Sequence, residues 1–275
     1  QRGGGLAAAV SIASSSVGFA VLHADGSVSD WGQHTQASFL PGAVSSPAAG
    51  AGVVGIASSC EAFAAVHANG AVTVWGQSGS GGGTSDGGSD NHAYTGVPAA
   101  LTSPASGAGV VSIFSTETAF AALHENGAVS AWGRSASGGA NPPVRVTSPP
   151  AGAGVVGIAA NVHAFAALHE DGAVSVWGEP GAGGSTDPGP ITFTDWWGND
   201  AATYVGAPSR VTSPAAGAGV VRIASAEWAF AALHADGTLS AWGHTGQGGA
   251  IAPTQRGGGL AAAVSIASSS VGFAV

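Results

Sequence analysis

A chain of 275 residues has room for one large domain or two small ones. Only 8% of its residues are charged, against about 25% in ordinary soluble domains. The formal charge is −9, with six arginines and no lysine, which excludes phosphate-neutralising nucleic-acid binding and disfavours anionic membrane surfaces.

Hydrophobic residues make up 45% of the chain. Most are Ala and Val, so a core built from them packs elements closely rather than around bulky side chains. Cys60 is the single cysteine, so no disulfide forms within the chain. No apolar run approaches the roughly 20 residues that span a bilayer, and no signal peptide is visible. With no methionine anywhere, the sequence reads as a processed product or an excerpt of something longer.

Residues 1–21, QRGGGLAAAVSIASSSVGFAV, recur unchanged as residues 255–275. Between them runs a repeat whose copies begin at Val10, Val54, Val111, Val156 and Val221, with a partial sixth from Val264. The repeats are 10–53, 54–110, 111–155, 156–220 and 221–263, followed by 264–275. Their lengths are 44, 57, 45, 65 and 43 residues, a higher-order period of 254. The simplest reading is a single repeat domain taken from a longer tandem array.

Repeat 156–178, VGIAANVHAFAALHEDGAVSVWG, shows the pattern. A β-branched run, Val155 to Ala159, is followed by the alternating Phe165–His169, by Asp171-Gly172, and by Ala173 to Trp177. Asp-Gly or Asn-Gly between alternating runs is the strongest short-range hairpin signal, because primed two-residue turns need φ > 0. It occurs at residues 25–26, 69–70, 126–127, 171–172 and 236–237. Leu168, Val174 and Val176 fall on one face of the hairpin, Phe165 and Trp177 on the other. A sheet apolar on both faces needs cover on both sides, which stacked blades supply. Val144–Ser148, Arg210–Ser213 and, more weakly, Ala99–Ser103 read as a closing fourth strand. No helix is expected. Four short antiparallel strands per repeat describe an all-β, propeller-like fold. An open β-stacked solenoid is the alternative, since long repeats alternate with short ones.

The run V-x-I-A followed by A-F-A-A-L-H-x-D-G-x-V-S-x-W-G resembles the repeat of the regulator of chromosome condensation superfamily, and that resemblance implies a β-propeller. The Pro-Ala-x-Gly-x-Gly-Val linkers also resemble propeller-type protein inhibitors of β-lactamases, and the repeats are similar to those of large tandem-repeat proteins of bacteria and algae. Two departures stand out. The superfamily usually has seven blades, against five repeats here. Its Gly-Gln-Leu-Gly after Trp-Gly is reduced to Gly81-Gly82, Gly138-Gly139, Gly183-Gly184 and Gly248-Gly249.

His23, His67, His124, His169 and His234 recur just before the turns. They are weighed as metal ligands or pH sensors against a plain role in bonding their own hairpins. Asp86 and Asp90 offer oxygens to Ca²⁺ without EF-hand spacing, and otherwise no cofactor or metal is expected. Gly83–Gly87 matches the hydrolase elbow G-x-S-x-G by chance, with no helix after it. No catalytic set stands at recognisable spacing, so no enzyme is expected.

Phe193, Trp196, Trp197 and Tyr204, with Tyr94 in the matching insertion, form an aromatic group expected on exposed loops, where it would contact a partner. Val10, Phe19, Val264 and Phe273 mark the assembly ends. Both copies of the 21 residues claim the same place in a closed ring, and an uncovered end that does not close propagates head to tail. The expected function is a non-enzymatic structural protein, extracellular or at the cell surface. It would be a subunit or segment of a filament, appendage or adhesive surface whose partners are copies of itself. The alternative is a propeller binding module whose loops recognise a protein or glycan, as the inhibitor resemblance implies. Nucleotide exchange or chromatin binding, implied by the superfamily's founding member, lacks a basic surface here.

Overall fold

The computed structural model describes residues 8–32, 40–88, 93–187, 191–193, 202–250, 265–269 and 272–274. Sheet one is β1 (Ala9–Ser14), β2 (Gly18–His23) and β3 (Val28–Gly32); sheet two is β4 (Val53–Ser58), β5 (Ala62–His67) and β6 (Val72–Gly76). Sheet three joins β7 (Tyr94–Thr95) to β8 (Val110–Ser115), β9 (Ala119–His124) and β10 (Val129–Arg134), in the order β7-β10-β9-β8. Sheet four is β11 (Val155–Ala160), β12 (Ala164–His169) and β13 (Val174–Gly178). Sheet five contains β14 (Ile191–Phe193), β15 (Ala202–Val205), β16 (Val220–Ser225), β17 (Ala229–His234) and β18 (Leu239–His244), in the order β14-β15-β18-β17-β16. Sheet six is the pair β19 (Ala267–Ser269) and β20 (Gly272–Ala274). Two compact units result. The first covers residues 1–126 and 130–135, and the second covers 127–129 and 136–275.

The two-faced hairpin is present in all five repeats. Phe165 lies opposite Trp177, Ala166 opposite Val176 and Leu168 opposite Val174. Stacking then follows one rule. The Ala/Val face of one sheet takes the Phe/Trp face of the next. In the first unit, Ala20, Leu22 and Val28 of sheet one meet Phe63 and Trp75 of sheet two. Ala62, Ala64, Val72 and Val74 of sheet two likewise meet Phe120 and Trp132 of sheet three. In the second unit, Ala164, Ala166, Val174 and Val176 of sheet four meet Phe230 and Trp242 of sheet five. Small residues on one side face a stacked ring pair on the other, so neighbouring sheets approach closely.

The hairpins form, but not through primed turns. His23 N–H donates to the Ser27 carbonyl and Gly26 N–H to the His23 carbonyl, both at 2.9 Å, so the loop is three residues long. Only its glycine has positive φ, from +75° to +78° across the five copies. The Asp or Asn keeps negative φ and uses its side chain instead. Asp25, Asn69, Asp171 and Asp236 each accept the backbone N–H two residues on. That is an Asx turn, which spares the acidic residue the left-handed region.

The closing strands expected at Ala99–Ser103, Val144–Ser148 and Arg210–Ser213 are instead single helical turns. These are α1 (Gly42–Ser45), α2 (Ala99–Thr102), α3 (Val144–Thr147) and α4 (Ser209–Thr212). Each follows a proline, Pro41, Pro98, Pro143 or Pro208, whose carbonyl accepts the returning N–H bonds; Val146 N–H donates to the Pro143 carbonyl at 2.9 Å. Proline starts a helical turn readily because it has no N–H to satisfy there. The turn aims one apolar plug inward, and Val44, Leu101, Val146 and Val211 are all fully buried. β-branched residues suggested strand, but the proline and the plug decide otherwise.

Fourth strands do occur, and the insertions of the long repeats supply them. β7, from repeat 54–110, pairs with β10 of the following repeat. β15, from repeat 156–220, pairs with β18 of the following repeat. An insertion thus laces consecutive repeats together with backbone hydrogen bonds.

Candidate interaction surface

The described residues contain no group of three or more His, Cys, Asp or Glu side chains able to hold a metal ion. Asp86 is occupied with its own loop, its Oδ1 accepting Gly96 N–H at 3.0 Å; Asp90 lies outside the described residues. The repeated histidines are structural links. His67, His124, His169 and His234 bond through Nδ1 to the carbonyls of Ala51, Ala108, Ala153 and Ala218 at 2.6–2.9 Å. Their Nε2 atoms meet the hydroxyls of Thr73, Ser130, Ser175 and Ser240 at 2.8–2.9 Å. A carbonyl only accepts, so Nδ1 carries the proton and Nε2 accepts from the hydroxyl. Both ring nitrogens are thereby committed, and the bond runs to the neighbouring linker as well as across the hairpin.

One of them carries a pH consequence. Burial in the sheet holds His169 below the usual imidazole range, against the Ala153 carbonyl that favours the charged form. An unfolded imidazole titrates near about 6.5, so below that pH the unfolded chain binds the extra proton first. Stability is therefore full above that value and falls with pH through the interval down to the depressed folded value. His169→Gln, which removes the Nδ1–H donor to the Ala153 carbonyl, is expected to cost about 1–3 kcal/mol at neutral pH. It should also flatten the loss of stability as pH falls below about 6.5 in urea titrations; a slope as steep as the wild type's would contradict this assignment.

The two tyrosines expected on exposed loops stand in strands instead. Tyr204 is buried in β15 and Tyr94 is half-buried in β7, both placed by strand pairing rather than on exposed loops. Phe193 lies in β14, opposite Ala202; Trp196, Trp197 and Val264 lie outside the described residues. Trp228 packs edge-on against His163 at 4.9 Å.

The surface the sequence did not reveal is built from one valine repeated in the strands of each unit. In β1, β4, β8, β11 and β16 the pairing skips one residue, and the skipped residues are Val10, Val54, Val111, Val156 and Val221. Each skip is a β-bulge, which turns its extra side chain out of the regular alternation. All five valines are 53–61% exposed. The strands that carry them are the edge strands of their sheets. In the first unit these edges lie side by side. Ser58 Oγ donates to the Ser14 carbonyl and Ser115 Oγ to the Ser58 carbonyl, both at 2.7 Å. Between β4 and β8 runs an open cavity of about 220 Å³, lined by Val54, Ile56, Val66, Val111 and Ile113 among others. The signal was present in the sequence as the doublet Val-Val. Two adjacent β-branched residues cannot both face one core at a period of two.

No protein-family model matches the chain, and no curated protein sequence matches it. Solved structures do. Yeast RCC1 (Prp20) bound to Kap60 is 16% identical with a TM-score of 0.51, over 87% of this chain and 56% of that one. Prp20p from Saccharomyces cerevisiae gives 16% and 0.51, over 87% and 58%. Human WBSCR16 gives 18% and 0.50, over 86% and 61%. The chain thus spans little more than half the length of the structures it matches. At this identity the likeness concerns architecture alone, and here it agrees with the repeat motif and the sheet stacking: the chain has the RCC1-like β-propeller repeat fold.

Proposed function

We propose that the chain is a non-enzymatic binding module whose partner is a protein, held by the bulged valines Val10, Val54 and Val111 of the first unit and the cavity beside Val54 and Val111. The carrying observation is the repetition of one exposed apolar residue at one bulge in every complete repeat. Each of those bulges turns toward solvent a side chain that the strand alternation would otherwise place inside. Exposed apolar side chains set in a row, on strands already tied together, suit an apolar protein surface. A glycan site would call for ring stacking and dense hydroxyl partners, and the row has neither. The yeast neighbour is recorded with Kap60, and its Prp20p counterpart with binding to Gsp1p and histones. Those proteins support protein recognition as a use of this fold.

The test is a capture experiment on proteins of the source organism, using the wild-type chain and the double variant Val54→Asp/Val111→Asp. Both valines are already exposed, so the variant should keep its melting temperature within about a degree or two, as surface substitutions do. A protein retained by the wild type should be lost from the variant. Equal retention by both, or binding to a glycan array that the variant preserves, would overturn the reading.

A further inference from the structure

The same 21 residues stand at two depths in this protein. Ile266, in the copy at 255–275, is 4% exposed, whereas its counterpart Ile12 is 62% exposed. Ile266 and Phe273 pack on Ala231 and Leu233, the Ala/Leu face of sheet five. Phe273 also lies over Gly248, where an added Cβ would stand 2.9 Å from its ring. That is the internal stacking rule continued. Gly81 faces Phe120, Gly138 faces Phe165 and Gly183 faces Phe230 in the same way. The four glycines share φ between +91° and +94°.

Sheet one presents the matching half of that joint. Phe19 and Trp31 are stacked at 5.6 Å like the buried pairs of the other sheets, at 5.1–5.5 Å. Yet Phe19 is 43% and Trp31 52% exposed, while the other four pairs are at most 4% exposed. The buried tryptophans Trp132, Trp177 and Trp242 donate Nε1–H to the carbonyls of Gly81, Gly138 and Gly183 at 3.0–3.2 Å. By sequence, the next carbonyl in that series is Gly248's.

We propose that the Phe19–Trp31 face of sheet one docks on the sheet-five face of a second copy of this chain, with Trp31 Nε1–H donated to that copy's Gly248 carbonyl. The seat is known to fit, because Ile266 and Phe273, the counterparts of Ile12 and Phe19, occupy it within each chain. Sheet one offers those same contacts and adds Trp31, which the described part of sheet six does not match. The described strands of sheet six thus act as a placeholder that a neighbouring copy displaces, and the contact is heterologous, so it propagates head to tail. The proposal stands on these two ends and not on the bulged valines, so either can fail without the other.

Sedimentation velocity of the full chain from about 1 to 200 µM tests it. The wild type should associate as concentration rises. Phe19→Ala/Trp31→Ala, which alters only exposed side chains, should remain at single-chain mass. Ile266→Asp, which loosens the placeholder, should shift association to roughly tenfold lower concentration, and Phe273→Ala serves as a second version should Asp disturb sheet five. Association of the Phe19→Ala/Trp31→Ala variant equal to wild type would overturn the proposal. So would single-chain mass for both the wild type and the placeholder variants across the range.

Discussion

Trp242→Ala is expected to destabilise the second unit by about 3–5 kcal/mol, the usual cost of emptying a buried tryptophan site. Trp242 has no exposed surface and stacks on Phe230 at 5.5 Å. It closes the gap between sheets four and five together with Ala164, Ala166, Val174 and Val176. Those neighbours are too small and too fixed by strand pairing to collapse into the space left behind. The Gly183 carbonyl also loses its donor, adding to the cost when water cannot reach it. The matched control is Trp31→Ala, the same residue of the repeat with about half its surface in water. Its effect on single-chain stability should stay under about 1 kcal/mol. Urea unfolding of the two variants at a concentration where the wild type is monomeric makes the comparison. If both midpoints fell equally, the stacking rule would not be what stabilises the sheets.

Much of this architecture can be read from periodicity, and what cannot has identifiable physical causes. The alternation in Phe165–His169 and Val174–Trp177 fixes both faces of the hairpin, and those faces stack as alternation implies. The hairpins are legible from Asp-Gly and Asn-Gly, but the turn type is not. Asp171 satisfies the Ala173 N–H from negative φ, a choice that depends on side-chain geometry rather than residue identity. The segment Val144–Thr147 misleads because β-branched composition and a preceding proline pull in opposite directions, and only the buried seat for Val146 settles which prevails. The strands β7 and β15 were hidden for another reason. Each pairs with the repeat after its own, so no local pattern records the partner. The bulged valines escaped notice because a bulge is a fault in the period, and period is what the reading measured. Phe19 and Phe273 hold the same place in two copies of one sequence, yet Phe19 is exposed while Phe273 packs on sheet five, a contrast that no local pattern encodes.

Gly172→Ala is expected to cost about 2–5 kcal/mol, combining left-handed backbone strain with a steric conflict. Gly172 ends the hairpin loop of sheet four at φ +77°, and a Cβ there would lie 2.7 Å from the Gly219 Cα. That approach is what lets the hairpin tip bond to the linker leading into sheet five. Val220 N–H donates to the Gly172 carbonyl at 2.8 Å, and Ala235 N–H to the Gly219 carbonyl at 2.9 Å. Moving the tip away to make room for a methyl group breaks the first bond and disturbs the linker where β16 begins. Gly152→Ala separates the two causes. Its φ is similar, at +73°, but nothing lies within 4 Å of the added Cβ. It should therefore show the conformational cost alone, about 1–2 kcal/mol. A difference of at least about 1 kcal/mol between the variants in thermal or urea unfolding is the expected result. Equal losses would mean that the paired glycines are retained for turn conformation only, and that the tip-to-linker contact contributes nothing to holding consecutive sheets together.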